Sequence, residues 1–435
     1  MASVTTKFLR AILMIAWTGI VANAQGKSSK PILVRVGKLY DSEKRQFINN
    51  QEILIENGFI SSVGKRLTRP KGTTLINLSQ HTVTPGLIDM HTHLLFYQKQ
   101  TQTGFEDGAR PPAEERVKRG LGFAKQDLNA GITTVRDVGN SGRYLDIRLK
   151  KLLGTDAKLG PDMYASGPII SPPGGQFGKL APADSVLIGQ EYTEIKGVDE
   201  ARAAVLTHIQ HGVDVIKICA NTYDKLLSVD EIRAIVETAH AKNIPVTAHA
   251  THDEPIRNAV LGGVDGIEHG YSMSDSTLEL MAARNVYLVP TDVSRRRGKI
   301  LVAGLGMRGK TAEVALSSLD AFHDRLRRAV KKGVMIVSGS DFYNDVKGLK
   351  WGPSSVDVLL AYREAGLPVA ELLSFATYNA AKALKRSDSI GTIKKGMKAN
   401  LVVFSGDLET RFEKALFDVE AVFHAGKLVY RKTKK

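Results

Sequence analysis

The chain has 435 residues, of which 43% are hydrophobic and 24% are charged, and its formal net charge is +15. This is an ordinary globular composition, long enough for one large domain and a smaller one. The single cysteine, Cys219, excludes an intramolecular disulfide. The sequence has no zinc-finger, aromatic-platform or helix-turn-helix pattern, which argues against nucleic acid as a partner despite the positive charge.

The first 24 residues have the pattern of a secretory signal peptide. Lys7 and Arg10 form a basic start, residues 11–21 are an apolar run, and residues 22–24 read Ala-Asn-Ala, a small-residue cleavage signal. The apolar run is too short for an ordinary membrane span, so no stable span is expected after cleavage. We expect residues 1–24 to be removed and the protein to be exported, to the periplasm or the medium. An uncleaved N-terminal anchor is the alternative.

Short strand patterns lie at both ends of the remaining chain, and turn residues separate several of them. The candidate strands are Ile32–Val36, Gln51–Glu56, Ile60–Val63, Asn400–Phe404, Val419–His424 and Lys427–Tyr430. Two β-rich ends flanking a long middle part predict one small composite β-sandwich domain. Residues 25–84 would form its N-terminal part and residues 385–435 its C-terminal part.

Between these ends, strand patterns alternate with helical ones. The eight candidate strands are Thr82–His91, Thr133–Val138, Asp162–Gly167, Val215–Cys219, Pro245–Ala250, Gly266–His269, Tyr287–Pro290 and Met335–Asp341. Eight such strands over about 300 residues predict an α/β fold, a (β/α)8 TIM barrel over residues 85–384. A doubly wound sheet is the alternative, but the Gly-rich phosphate loop that it usually carries after its first strand is missing.

Polar residues end several of these apolar strands, at the end where barrel enzymes carry their chemistry. His91 and His93 are two residues apart, so in a strand both side chains point to the same side and can bind one metal ion. The other strand-end residues are Lys217, His249, His269 and Asp341. A purely structural role would favour Val or Ile at these positions, so the pattern indicates a shared metal site.

Lys217 lies within the apolar strand Val215–Cys219, where an unpaired ammonium group is costly to bury. Burial lowers the pKa of a lysine and favours the neutral amine, which can react with carbon dioxide to form a carbamate. A carbamate offers oxygen atoms that can bridge two metal ions. The alternative is that Lys217 extends to the barrel mouth or pairs with Asp214.

Six motifs of this chain together resemble the amidohydrolase superfamily, and in particular its imidazolonepropionase-like branch, which includes Xaa-Pro and related dipeptidases. The motifs are Pro-Gly-Leu-Ile-Asp-Met-His-Thr-His at 85–93, Gly-Ile-Thr-Thr-Val-Arg-Asp at 131–137, Val-Ile-Lys-Ile at 215–218, Thr-Ala-His-Ala at 247–250, Gly-Ile-Glu-His-Gly at 266–270 and Gly-Ser-Asp at 339–341. The resemblance covers nearly the whole chain after residue 24. It implies a metal-dependent hydrolase.

The resemblance implies two divalent metal ions, with zinc as the expected element. The implied ligand set places one ion on His91, His93 and Asp341 and the other on His249 and His269, with a hydroxide and the carbamate of Lys217 as bridges. In the implied reaction the hydroxide attacks the scissile carbonyl. Asp341, the catalytic residue, accepts the proton and passes it to the leaving amine.

The same resemblance favours amide hydrolysis in dipeptides or N-acyl amino acids, so we expect a small-molecule substrate with a carboxylate. Tyr223 and Lys225 follow the fourth strand and Arg295 follows the seventh, and each could meet that carboxylate. The alternative for each is a solvated loop residue. Arg136 and Asp137 are interpreted as a structural ion pair.

The chain departs from its relatives in four places, none of which is a metal ligand. Gln176 stands where many relatives have a histidine, and the second histidine after the fifth strand is displaced to His252. Asn400 replaces an aspartate near the C-terminus, and residues 294–297 are unusually basic. The first and last of these departures leave the substrate open.

Four alternative functions remain. A deaminase of the superfamily would carry a glutamate where His252 stands, and imidazolone ring opening is cytosolic and its enzymes lack the bridging lysine. A lactonase or esterase would use the same hydroxide. A non-catalytic metal-binding protein would not need Asp341 as a base. The oligomeric state is open, with a homo-oligomer as one option.

Overall fold

The computed structural model describes residues 30–99, 104–177 and 179–433, and the predicted signal peptide over residues 1–24 lies outside them. The strands are β1 (Ile32–Asp41), β2 (Gln46–Glu56), β3 (Phe59–Gly64), β4 (Thr74–Pro85), β5 (Leu87–Thr92), β6 (Gln98–Lys99), β7 (Ile132–Asp137), β8 (Asp162–Ala165), β9 (Ile169–Ser171), β10 (Tyr192–Glu194), β11 (Ile216–Cys219), β12 (Val246–Ala250), β13 (Gly266–His269), β14 (Tyr287–Val289), β15 (Asn344–Asp345), β16 (Leu401–Ser405), β17 (Val419–His424) and β18 (Lys427–Arg431). The α-helices are α1 (Ala113–Asn129), α2 (Leu145–Leu153), α3 (Ile188–Glu191), α4 (Val198–His211), α5 (Val229–His240), α6 (Asp253–Gly262), α7 (Asp275–Ala283), α8 (Arg295–Gly304), α9 (Gly309–Lys331), α10 (Pro353–Val356), α11 (Val358–Glu364), α12 (Val369–Phe375), α13 (Tyr378–Ala383) and α14 (Phe412–Ala415). Over these residues, no helix combines the length and the apolar character needed to cross a membrane.

Strands from the two ends of the chain share one seven-stranded sheet, in the order β18-β17-β16-β4-β1-β2-β3. Strand β4 is central to this arrangement, because it pairs in parallel with β1 and antiparallel with β16. A separate hydrophobic core lies within this part of the molecule and includes Val34, Ile53, Leu401 and Phe423. The C-terminal strands therefore complete a sheet that the N-terminal strands begin.

The chain passes from this sheet into the barrel at Gly86, between β4 and β5. A Cβ atom at Gly86 would lie 2.0 Å from Oγ1 of Thr133 on β7, so the crossing requires a residue without a side chain. The predicted strand Thr82–His91 is thus two strands, one in each part of the molecule. Its second half, β5, contains His91, and His93 follows directly after the strand ends.

The middle of the chain forms the predicted (β/α)8 barrel. Parallel strands run in the orders β5-β7-β8 and β9-β11-β12-β13-β14. Residues 335–341 lie between β14 and β5 and close the ring by backbone hydrogen bonds. The amide of Val337 donates to Leu288 on β14 at 2.9 Å, and the amide of Met90 on β5 donates to Ser338 at 2.9 Å. This segment makes a single β-bridge, at Ile336, rather than the regular strand that we predicted over Met335–Asp341.

The barrel strands are buried on both sides, which is typical of parallel sheets covered by helices. On β11, Ile216 and Ile218 pack in the large hydrophobic core, whereas Lys217 between them lines a cavity on the other side of the strand. The covering helices begin at ordinary capping signals. At the start of α5, the Ser228 hydroxyl accepts from the amide of Glu231, whose carboxylate accepts from the amide of Ser228 at 2.8 Å.

Candidate metal centre

The six predicted ligands lie in one cavity at the C-terminal ends of the barrel strands. This cavity has a volume of about 530 Å³. It is lined by His91 and by the other five residues of the set, which are His93, Lys217, His249, His269 and Asp341. They come from four different strands, the segment after β5 and the closing segment, so only the closed barrel brings them together.

His91 and His93 point their Nε2 atoms at each other. The Nδ1 of His91 lies 2.7 Å from a carboxylate oxygen of Glu268, and the Nδ1 of His93 lies 3.0 Å from the carbonyl oxygen of Gly139. Both partners accept hydrogen bonds, so in the neutral imidazoles the proton sits on Nδ1 and the lone pair on Nε2. The two Nε2 atoms are nevertheless only 3.2 Å apart.

Asp341 adds a third acceptor to this pair. Its Oδ1 lies 3.6 Å from Nε2 of His91 and 3.3 Å from Nε2 of His93. Atoms of His91, His269 and Asp341 that could bind a metal ion also lie within 4.8 Å of one another. Acceptors that face one another at these distances repel unless a cation lies between them. Imidazole nitrogen and carboxylate oxygen are the ligands that zinc prefers, so the residues present fit a metal ion.

The electrostatics of the cavity favour the neutral form of three of its four histidines. Burial lowers the pKa of His91, His249 and His269 well below the usual histidine value, and the nearby Lys217 lowers each of them further. For the fourth, His93, burial alone would lower the pKa, but the hydrogen bond and charge of Asp341 overcome this effect and raise it. Burial alone would raise the pKa of Asp341, but His91 and His93 overcome this effect and lower it. Neutral imidazoles and an ionised carboxylate are the forms that bind metals.

Lys217 projects into the same cavity and is only 2% exposed. Burial lowers its pKa to about 8. At pH 7 about a tenth of such side chains are neutral amines, far more than for an exposed lysine, and this is the form that the carbamate reaction requires.

Glu268 orients His91 and is itself held by buried partners. Its Oε1 accepts short hydrogen bonds from Nη2 of Arg136 and from the hydroxyl of Thr247. Arg136 also donates to the hydroxyl of Tyr287 at 2.8 Å. This is the carboxylate–histidine arrangement that commonly fixes a metal ligand. Glu268 is not among the residues predicted from the sequence, although an acidic residue in the apolar strand before His269 is a usable signal.

The expected ion pair between Arg136 and Asp137 is wrong. Arg136 pairs with Glu268 inside the barrel, whereas Asp137 accepts from the Thr92 hydroxyl at 3.0 Å and from the Leu94 amide at 2.7 Å. Successive residues in a strand point to opposite faces, so these neighbours cannot share one environment.

His249 and His269 form the other half of the site, with ring centroids 4.6 Å apart. The side-chain amide nitrogen of Gln176 lies 3.2 Å from each ring nitrogen of His249. The Nδ1 of His269 lies 2.9 Å from the hydroxyl of Thr291 and 3.2 Å from that of Tyr271. Gln176, the departure noted in the sequence, therefore contacts a predicted ligand directly.

Three residues around the site have left-handed backbone conformations. The φ angles are +71° at His269, +54° at Thr291 and +46° at Asp341. Such values are uncommon outside glycine, and for a β-branched residue such as Thr291 they are an outlier that the surrounding structure must hold in place. For Asp341, the backbone amide donates to His91 at 2.9 Å, and the guanidinium of Arg297 donates to the Ser340 carbonyl at 3.2 Å.

The predicted substrate residues fall in different places. A neighbouring cavity of about 730 Å³ shares Gln176 and His249 with the metal cavity, and Tyr223 lines it with its side chain 82% exposed. Among the described residues that line either cavity, Lys225 and Arg295 are absent. Lys225 donates to the carbonyl of Pro173 at 2.9 Å, and Arg295 pairs with Asp320 on α9. The structure thus does not bring Arg295 to the site.

The family model of the amidohydrolase family matches residues 82–429 of this chain. The chain belongs to the amidohydrolase family. This confirms the superfamily resemblance and the barrel fold, and it makes the protein an amidohydrolase that acts on carbon–nitrogen bonds.

Three similar proteins illustrate the range of this family. The amidohydrolase is 26% identical over 390 residues to an ochratoxinase of Aspergillus niger, and the match covers 82% of this chain and 77% of the relative. It is 28% identical to a Xaa-Pro dipeptidase solved with bound methionine, with a TM-score of 0.79. It is 27% identical to a prolidase complexed with N-methylphosphonate-L-proline, with a TM-score of 0.80. Both structural matches cover 93% of this chain and 100% of the other.

Proposed function

We propose that this amidohydrolase is an exported enzyme with two divalent metal ions that hydrolyses dipeptides or N-acyl amino acids. The facing lone pairs of His91 and His93, with Asp341 beside them, are the observation that carries the proposal. His249 and His269 would hold the second ion, and carboxylated Lys217 would join the two. The signal-peptide pattern over residues 1–24 supports export.

Bound zinc ions would supply Lewis acidity toward the scissile carbonyl and toward the attacking water. Asp341 is the base, because its lowered pKa keeps it ionised and able to accept a proton from that water. The same carboxyl group then delivers the proton to the leaving amine. Glu268 keeps His91 in one orientation throughout, and Gln176 contacts the ring of His249.

The cavity beside the metal centre is the proposed place for the rest of the substrate. Tyr223 and His252 line it and leave it open to solvent, so a chain of variable length can extend outward. The exposed hydroxyl of Tyr223 is the proposed partner of the substrate carboxylate. The relatives that are named Xaa-Pro dipeptidase and prolidase support a dipeptide with a free carboxylate.

A substrate screen on the zinc-loaded enzyme tests the reaction class. Dipeptides and N-acyl amino acids are compared with matched esters and lactones, and we expect release of an amine from the amides as the main product signal. The signal should vanish in Lys217→Ala and persist in Lys225→Ala, a matched lysine outside both cavities. A preference for the esters or lactones would contradict amide hydrolysis.

Metal analysis tests the site separately. We expect about two zinc ions per chain in the wild-type protein purified without chelators, and fewer in Lys217→Ala. Metal-free protein whose hydrolysis is unchanged in Asp341→Asn would contradict the proposed centre. Metal-loaded protein that is inactive on the whole library would indicate a non-catalytic metal-binding role.

A further inference from the structure

A second large cavity lies away from the metal centre, where the C-terminal end of α1 meets the last strands of the sheet. Its volume is about 750 Å³. Its lining residues lie at the junction between the barrel and the sheet. They include Asn129, Ala130, Lys350, Trp351, Phe417 and Lys432. Junctions of this kind are frequent places for small-molecule sites.

The aromatic wall of this cavity is fixed in place. The indole ring of Trp351 is 4% exposed and stacks on Phe123 with ring centroids 3.8 Å apart and planes 5° from parallel. Its Nε1 donates to the buried carboxyl of Asp127 at 3.1 Å. Phe417 and Tyr430 add two further aromatic rings to the lining. A preformed aromatic surface favours a flat, apolar ring system as ligand, because little entropy is lost on binding.

The polar groups of the cavity specify the rest of the ligand. Lys432 is paired with Asp418 at 2.6 Å, whereas Lys350 forms no ion pair with any residue that the structure describes. The side-chain oxygen of Asn129 is buried and has no hydrogen-bond partner among the described residues. A buried hydrogen-bond acceptor without a partner costs free energy, so a ligand that donates a hydrogen bond to this oxygen would be favoured. The ammonium group of Lys350 favours a ligand with a negative charge.

We propose that this cavity is a binding site for a small aromatic anion that also carries an N–H or O–H donor. Its rings would lie against Trp351 and Phe417, its acidic group would meet Lys350, and its donor would reach the Asn129 oxygen. The site shares no lining residue with the metal cavity, so the inference stands independently of the proposed substrate.

The dye 8-anilinonaphthalene-1-sulfonate has all three features: fused rings, a sulfonate and an anilino N–H. The chain has two tryptophans, Trp17 in the proposed signal peptide and Trp351, so Trp351 is the only one in the processed protein and in a Trp17→Phe variant of the full chain. Selective excitation of tryptophan in this variant should give strong energy transfer to one bound dye per chain. The same result is expected with Asp341→Asn in the background, because the metal centre is a separate site.

Variants locate the dye. Lys350→Ala removes the anion partner and should weaken binding at least fivefold, and Ala130→Leu fills the cavity without removing a packed side chain and should weaken it more. The matched control Lys395→Ala, an exposed lysine elsewhere, should leave the dissociation constant unchanged. Thermal unfolding confirms that each variant is folded.

Two outcomes would overturn the proposal. One is dye binding without energy transfer, or with an affinity that neither Lys350→Ala nor Ala130→Leu changes, since the dye would then sit elsewhere. The other is absence of dye binding to the folded protein. If the molecular mass in sedimentation also changes when Lys350 is replaced, a second copy of the chain covers the cavity.

Discussion

At the residue scale, the site depends on side chains that hold ligands rather than on the ligands alone. Glu268 is the clearest case, because one oxygen orients His91 while the other binds Arg136 and Thr247. All four side chains are buried. Loss of its charge therefore affects both a metal ligand and a buried cation.

The variant Glu268→Gln should reduce zinc affinity by about 10- to 100-fold, the range found when partners of this kind are lost. It keeps the size of the side chain but weakens its hold on the Nδ1 proton of His91. Zinc content after dialysis against a graded series of chelator concentrations measures the effect. Glu115→Gln, an exposed glutamate on α1, is the control. Equal zinc retention in both variants would contradict the assignment.

Thr291 should be sensitive to loss of its hydroxyl and tolerant of loss of its methyl group. Thr291→Val keeps the β-branched shape but removes the hydrogen bond to His269, so kcat/KM should fall about fivefold, the value of one hydrogen bond. Tyr271 lies near the same nitrogen and limits the loss. Thr291→Ser keeps the hydroxyl and should remain within twofold of wild type. The reverse order would show that packing, and not the hydrogen bond, matters here.

The meeting of the six proposed ligands in one cavity could be predicted from the sequence, because each polar residue interrupts or follows an apolar strand and the barrel rule places those ends together. Their partners could not. Which acceptor meets His91 depends on the distance between β5 and β13 across the barrel, and no local pattern encodes that distance. Arg136 shows the same point, since its pairing partner is far away in sequence rather than adjacent.

At the element scale, the closing segment is packed more tightly than its weak strand character suggests. A Cβ atom at Gly339 would lie 2.4 Å from Cγ1 of Val289 and 2.7 Å from Cβ of His91. The sequence predicted a regular strand here because the run is apolar. Contacts at Gly339 and the left-handed backbone at Asp341 instead give an irregular segment that places the carboxylate.

Gly339→Ala should lower the free energy of unfolding by about 1–3 kcal/mol, the usual cost of overpacking, and should lower zinc affinity because His91 must move. Gly122→Ala on α1 is the matched control. A Cβ atom there meets nothing within 4 Å, so this variant should gain about 0.5–1 kcal/mol from helix propensity. Denaturant unfolding measures both changes. Equal stability of the two variants would contradict the packing argument.

The contact between α1 and the segment after residue 350 should make stability depend on pH. Burial and, to a smaller extent, the nearby Asp89 raise the pKa of Asp127 to about 8, well above the usual value of an aspartate of about 3.9. The folded state therefore binds more protons than the unfolded state between about pH 4 and 8. This carboxyl group then lowers the stability as pH rises through that window, by at most ~1.4 kcal/mol per pH unit.

Asp127→Asn should remove this contribution. The free energy of unfolding of the variant should rise relative to that of the wild type as pH is raised from 5 to about 8. Above the raised pKa of Asp127 in the folded state, the difference should change little. Denaturant unfolding at a series of pH values gives the comparison. A constant difference between the two proteins across this range would show that Asp127 keeps the same charge in both states.

At the scale of the whole molecule, the proposed metal centre joins several barrel strands that are far apart in the sequence. Its proposed ligands lie on β5, β11, β12, β13, the segment after β5 and the closing segment. Removal of the metal should therefore lower the melting temperature of the entire barrel, by the equivalent of about 4 kcal/mol when zinc is present at a thousand times its dissociation constant. Calorimetry with and without a chelator measures this decrease. The control variant Arg295→Ala changes a residue outside the site and should show the same decrease as the wild type. No shift on chelation would contradict a structural contribution of the metal.

The overall architecture was predictable because both of its parts leave strong patterns. Eight strand–helix alternations indicate a barrel, and β signals at both ends indicate a shared sheet. The sequence could not show that β4 pairs with both β1 and β16, since pairing across the whole length of the chain leaves no local trace. Nor could it show the cavity at the junction, which both parts of the molecule build together.

The shared sheet sets an order on the biosynthesis of this protein. Strand β4 leaves the ribosome early, but β16, β17 and β18 are the last strands to be made. A nascent chain can complete every barrel strand while one edge of β4 still has no partner. The exposed edge must wait until β16 has been made, so the strands that follow the barrel decide when the molecule becomes resistant to proteases and to pairing with other chains.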